Sequence, residues 1–250
     1  ADLSWATLYF ADLSGANLSG ANLYGARLNY ANLRGANLNG ANLSRASGQR
    51  LDLSDTDLTN ANLQDAYLPF ANFNDVVLTG ANLGGADLEH ATLIGADFRG
   101  ADLLIGADLS YADLSNANFE GTVVRGFFFD SNLSGANLSG ADLENINLEW
   151  ADLSGANLSH ANLNGAWLGG IKTDGTNLYE TVVYDIVSGA VNIGEVLTTG
   201  GLNYPGALFA PPVPSVPDLA DDSDTGESST DNITSDFTPT FSGKVDEGSN

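Results

Sequence analysis

Carboxylates are the most plentiful chemically competent groups in this chain. Its 250 residues hold 32 Asp and Glu against 8 Lys and Arg, with 2 His and no Cys. Without Cys there is no thiol chemistry and no disulfide. The two imidazoles, His90 and His160, stand far apart in the sequence and are not expected to form a catalytic or metal pair. No Gly-rich phosphate loop and no nucleophile set beside a base occurs. The Asp residues fall in a recurring slot (Asp2, Asp12, Asp52, Asp57, Asp97, Asp102), where they alternate with Asn. Acid–base catalysis needs two carboxyls that converge on one point. A fixed recurrence spreads them in rows instead, so we expect a structural role. Asn22, Asn42, Asn62 and Asn82, each 20 residues from the last, are expected to form a hydrogen-bonded ladder. N-x-S/T sequons such as Asn17-Leu-Ser are generated by the same recurrence.

What must position these groups is a repeat of five. An apolar centre falls at Leu3, Leu8, Leu13 and onward without a slip to Leu103, and of these 21 centres only Gly48, Phe73 and Phe98 are not Leu. Ala stands two residues before each centre, except at Leu51, Thr56 and Val76. One residue is added at "LLIGADL" and one is lost around "RGFFFD"; the step then runs from Leu133 to Leu168 and decays toward Ile193. An α-helix turns 100° per residue, so a step of five would carry Leu around every side. A long flat strand fails too, because an odd period flips Leu between faces. The pattern works if five residues make one side of a square coil. Ala and Leu then point inward, and Gly in the last position (Gly15, Gly20, Gly25) supplies the corner dihedrals. Four sides give a coil of 20 residues, and stacked coils bury Ala and Leu in a continuous axial core.

The motif resembles the A(D/N)LXX of the pentapeptide-repeat family over residues 1–193. The resemblance implies an all-β fold, a right-handed quadrilateral β-helix of about ten coils, roughly 45 Å long at the strand spacing. It also implies that the Asp/Asn slot points outward.

A second period is legible without the family. The last residue of a side is usually Gly, Asp or Asn. The exceptions include Phe10, Tyr30, Arg50, Phe70, His90, Tyr111 and Trp150, spaced by 20 once the added and lost residues are allowed for. On a four-sided coil they stack up one edge. Stacked rings shield a corner, but contiguous exposed aromatics also mark contact surfaces. The expected partners are a neighbouring rod or a cell-surface glycan whose sugars stack on the rings.

The period is lost from about Gly194. Residues 194–210 read as a C-terminal cap over an open sheet edge. Residues 211–217, "PPVPSVP", form a stiff extended spacer. Residues 218–250 are acidic and, by composition, disordered. The stretch "PDLADDSDTGESSTDNITSDFTPTFSGKVDEGS" is nonetheless similar to the start of the bacterial Ig-like repeats of large secreted adhesins. "TPTFSGK" would be the first strand of a domain cut short. That resemblance implies Ca²⁺ at the domain junction, with Asp218, Asp224, Asp231 and Asn232 on the motif. Their oxygens are the hard ligands that Ca²⁺ takes. A rod that opens in mid-pattern and a tail that ends in mid-domain suggest a segment of a longer secreted chain, able to stack end to end.

Charge narrows the functions. Residues 1–198 carry 23 acids and 7 bases, and the remainder 9 acids and Lys244, for a net of -24. Nucleic-acid backbones need Lys and Arg, so nucleic acid is not an expected partner. No apolar run approaches a membrane span. The expectation is a non-enzymatic structural or assembly module of an extracellular surface protein, adhesin or fibre. It needs no cofactor in the rod and takes Ca²⁺ in the tail. The alternative follows from the family resemblance: some members resemble DNA in shape and charge and inhibit type II topoisomerases. A rod of ~45 Å would need about 26 charges to match B-DNA at one per ~1.7 Å.

Overall fold

The computed structural model describes residues 1–103 and 106–183. Over them the chain winds as a four-sided β-helix. Every rung is a parallel bridge between residues one coil apart: Asp2 to Asn22, Asn22 to Asn42, and so on to Asn162 and Val182. We number the sides from the start of the chain. Side one holds residues 1–5, side two 6–10, side three 11–15 and side four 16–20. Nine coils lie within the described residues, ending at residue 180. Residues 184–193, the cap, the proline spacer and the acidic segment lie outside them.

Each side is built alike. The outward Asp or Asn exchanges two rungs with its neighbours: Asn22 N donates to Ala1 O at 2.8 Å, and Leu3 N donates to Asn22 O at 2.7 Å. A turn then closes the corner, with Ala6 N donating to Leu3 O at 3.0 Å. This turn needs positive φ at its third residue. Trp5 has φ 59°, Phe10 57° and Gly15 63°, and the last residue of each described side is left-handed, except on the short side that ends at Arg125.

Leu at the centre and Ala two places earlier fill the interior; from Ala21 to Phe98 every centre side chain is buried to 0% exposure. Where Thr or Ser takes the Ala slot, its hydroxyl finds a carbonyl. Thr176 Oγ1 donates to Leu153 O at 2.7 Å, and Ser131 Oγ donates to Phe128 O at 2.8 Å. A buried hydroxyl therefore costs little here.

The added and lost residues meet. Residues 101–103 and the four-residue side 122–125 are both on side one, in coils six and seven, and Leu103 bridges Val124. Register is therefore restored one coil later, where Phe127 again pairs with Asn147. Arg125 closes the short corner. Its Nη1 donates to Asp142 O at 2.9 Å and its Nη2 to Asp142 Oδ2 at 2.6 Å. Phe98 and Phe119 stack at 4.3 Å in the interior beside this adjustment.

Candidate interaction face

The Asp/Asn slot has a local job. Its Oδ1 accepts from the backbone N–H two residues on: Ser14 N to Asp12 at 3.1 Å, Arg34 N to Asn32 at 3.0 Å, Ser54 N to Asp52 at 3.0 Å. Asp and Asn offer the same acceptor, which is why they interchange. The slot also forms rungs between coils, and of the expected row from Asn22 to Asn82 the rung between Asn22 and Asn42 is made. Asn42 Nδ2 donates to Asn22 Oδ1 at 3.4 Å. On side three Asn alternates with Asp, and Asn32 donates to Asp12 and Asn72 to Asp52. Alternation keeps carboxylates from sitting on successive rungs, and Asp12 and Asp52 each accept three hydrogen bonds, the third from the Ser14 or Ser54 hydroxyl. Asp12 is held below its ordinary range by the Ser14 hydroxyl. Asp97 is lowered by Arg99, and Asp142 by Arg125.

Side two departs from this plan. The structure places Phe10, Tyr30, Arg50, Phe70, His90, Tyr111 and Trp150 at its last position, one above another. Phe10 stacks on Tyr30 at 5.1 Å with planes 10° apart, Phe70 on His90 at 4.8 Å and His90 on Tyr111 at 4.9 Å. Arg50 separates the two stacks. Trp150 lies over Gly170, where a Cβ would stand 2.5 Å from its ring. His160 is on side four, paired with Glu180 at 3.0 Å and away from His90.

The sequence reading found the edge but not the face. The Asx slot of side two holds Thr7, Arg27, Ser47, Tyr67, Asp87, Asp108, Phe127, Asn147 and Trp167. Only three of these are Asp or Asn. Tyr67 is 52% exposed, Phe127 52% and Trp167 44%. Tyr9 and Phe129 add rings at the fourth position, with Phe129 edge-on to Tyr111 at 5.6 Å. The missed signal was the period of 20 in the exceptions to the Asx slot. Side three is the contrast. Its last position holds only Gly, Asp or Asn: Gly15, Gly35, Asp55, Asp75, Gly95, Asn116, Gly135, Gly155 and Gly175.

The backbone requirement is therefore identical on two sides, and the residues chosen are opposite. Left-handed φ costs a non-Gly residue roughly 1–2 kcal/mol, and ring stacking returns about 0.5–1.5 kcal/mol per pair. The fold gains little from this exchange. The rings stack along the rod, so neighbours cover their faces and their edges point out. Sugar stacking needs ring faces, so the stacked column suits a protein surface better than a glycan.

Among the described residues no group of three or more His, Cys, Asp or Glu is placed to hold a metal ion. No helix there is long and apolar enough to cross a membrane. Asp218, Asp224, Asp231 and Asn232 lie outside the described residues.

Comparison with known proteins agrees with this architecture. The pentapeptide-repeat family matches with eight copies, over residues 1–40, 26–65, 71–103, 104–126 and 131–170. A bacterial Ig-like domain matches residues 210–250. No curated protein matches the chain. Among solved structures, HetL is similar: a pentapeptide repeat protein involved in heterocyst differentiation regulation, from the cyanobacterium Nostoc sp. strain PCC 7120. It is 33% identical over 74% of this chain and 86% of its own, with a TM-score of 0.44. A trypsin-treated form of QnrB1, a plasmid-mediated fluoroquinolone resistance protein, has a TM-score of 0.62. It is 19% identical over 80% of this chain and 99% of its own. A five-residue period, four-sided coils with an Ala–Leu interior and matches along most of their length make this chain a member of the pentapeptide-repeat family.

Proposed function

We infer that this chain is a non-enzymatic structural and assembly module of an extracellular surface protein or fibre. The β-helix is the rigid element, and side two is its contact face. One observation carries this reading. Aromatic and bulky residues occupy left-handed corners and Asx slots on side two, where the fold itself is satisfied by Gly, Asp and Asn on side three. The bacterial Ig-like match over residues 210–250 supports an extracellular setting, because this segment resembles the tandem Ig-like repeats of large secreted adhesins. In that setting Asp218, Asp224, Asp231 and Asn232 hold Ca²⁺ at a domain junction.

The test replaces Tyr30, Phe70 and Tyr111 with Ser and follows binding to other protein and to surfaces. A folded rod that loses its association supports a contact face. A folded rod with unchanged association and unchanged surface binding removes it. Antibody labelling of intact against permeabilised source cells tests the location, and labelling only after permeabilisation would overturn it.

A further inference from the structure

The contact face proposed above has a charge order along the rod that selects its occupant. Its bases, Arg27 and Arg50, lie in coils two and three. Its acids, including Asp87, Asp108 and Asp130, lie in coils five to eight. We propose that side two pairs with side two of a second copy of this chain, antiparallel, about a two-fold axis between coils four and five. This rests on side two being a contact face.

The charge order decides the direction. Parallel pairing would set each coil against itself, with both Arg27 in one coil pair and Asp87 facing Glu89, and like charges in opposition are unfavourable. Antiparallel pairing sends coil two to coil seven and coil three to coil six. Arg27 then faces Phe127 with Asp130 beside it, and Arg50 faces Tyr111 with Asp108 beside it. Each cation thus meets a ring, with a carboxylate at the other end of the same side. Phe10 of coil one meets Trp150 of coil eight. Moving the axis by half a coil, to coil five itself, would oppose Asp87 to Asp87 and Glu89 to Glu89. The axis is therefore not on coil five, and cross-linking between coils one and eight fixes the register. An isologous interface of this kind closes on itself and gives a dimer rather than a filament.

Size sets the strength. Eight coils give a face about 38 Å long and, with corner side chains, roughly 15 Å wide, so pairing buries on the order of 1,100 Å² in total. That is the low end for a specific interface. Tethering on neighbouring chains would raise its effective strength.

The experiment uses the full chain. Sedimentation equilibrium from about 1 μM to about 1 mM covers the range of weak association. The expected result is a monomer–dimer equilibrium. Arg27→Glu should raise its Kd at least about tenfold, and Arg27→Glu with Asp130→Arg should restore it. The chain has no Cys, so Tyr9→Cys with Glu149→Cys adds the only thiols. They lie seven coils apart within one rod, and oxidation should give a covalent dimer. Cross-linking by Tyr9→Cys alone would overturn the antiparallel arrangement. A monomer throughout the range overturns the second copy. Binding of the folded Tyr30, Phe70 and Tyr111 to Ser variant to other protein and to surfaces then separates the two readings. Binding weaker than the parent's leaves side two a contact face for another partner, and unchanged binding removes both.

Discussion

Leu51 occupies the space that a side chain at Gly48 would take. A Cβ built on Gly48 would lie 2.9 Å from Leu51 Cδ2 and 2.7 Å from Leu68 Cδ2. These are two exceptions to the repeat, one in a Leu position and one in an Ala position, and they cancel in volume. Both sites are in the core, with Leu51 fully buried. Restoring the repeat at one site alone should therefore destabilise the rod. Gly48→Leu overfills the coil, at about 1–3 kcal/mol. Leu51→Ala leaves a cavity, at about 2–5 kcal/mol. The double variant Gly48→Leu with Leu51→Ala regains the ordinary coil and should recover most of both losses. Denaturant unfolding of the four proteins measures the coupling, and additive losses would refute the exchange.

This pair also shows what the sequence made legible. The period of five, the square coil and the inward Ala and Leu follow from pattern alone, because each side repeats one local rule. Exceptions need three dimensions. Gly48 and Leu51 look like two separate faults until the turn between them sets the Leu51 side chain in the space beside Gly48. The residue added before Gly106 and the one lost at Arg125 likewise look independent, although the 20-residue coil sets one on the other through Leu103 and Val124. The edge column was legible because Phe, Tyr and Trp stand out where Gly is the rule. The rest of side two was not, because Thr7, Arg27 and Ser47 are unremarkable singly. Only stacking them with Tyr67, Phe127 and Trp167 makes a face.

The shared role of Asp and Asn predicts that the rod tolerates neutralisation. Replacing Asp12, Asp52, Asp113 and Asp152 by Asn keeps each Oδ1 acceptor. Stability should change by no more than about 0.5 kcal/mol per site. Asp52→Ala removes the acceptor for Ser54 N at 3.0 Å, for Ser54 Oγ at 2.7 Å and for the Asn72 amide at 3.1 Å. It should cost about 1–3 kcal/mol, the net worth of these bonds. Thermal melts of the two variants distinguish capping from charge.

Asp142 ties acid stability to the short corner. The Arg125 guanidinium beside it holds its carboxyl below the ordinary value of 3.8. A carboxyl depressed in the folded state contributes stability that is full above its unfolded value and is lost as pH falls through its folded value. Asp142→Asn should thus be less stable than the parent at neutral pH. The difference should shrink as pH drops below about 3.8 and vanish once the folded carboxyl is protonated. Unfolding curves at a series of pH values give the comparison, and a pH-independent difference would mean that packing, not charge, is lost.

The left-handed corners give a test that needs no partner. Tyr30→Gly relieves positive φ at a residue of φ 60° and removes its stack on Phe10. The relief of roughly 1–2 kcal/mol and the lost stacking of about 0.5–1.5 kcal/mol oppose each other, so stability should move by less than about 1 kcal/mol. Gly25→Ala is the control. Its φ is 62° and the new Cβ would stand 2.6 Å from the Trp5 ring, so strain and clash add. It should destabilise the first coils clearly. If Tyr30→Gly were the more damaging of the two, the column would be structural.

Charge distribution argues that the rod does not act as a DNA surface. Among residues 1–183 the acids number five on side one, five on side two, seven on side three and four on side four. A duplex of about 43 Å presents about 25 phosphates in two continuous rows. No side of this rod approaches that density, and bases such as Arg34 and Arg99 neutralise part of it by pairing with Asp55 and Asp97. In a gyrase supercoiling assay the chain should therefore not inhibit at micromolar concentration. The Asp12, Asp52, Asp113 and Asp152 to Asn variant should behave identically. Inhibition that disappears in that variant would establish side three, not side two, as the functional face.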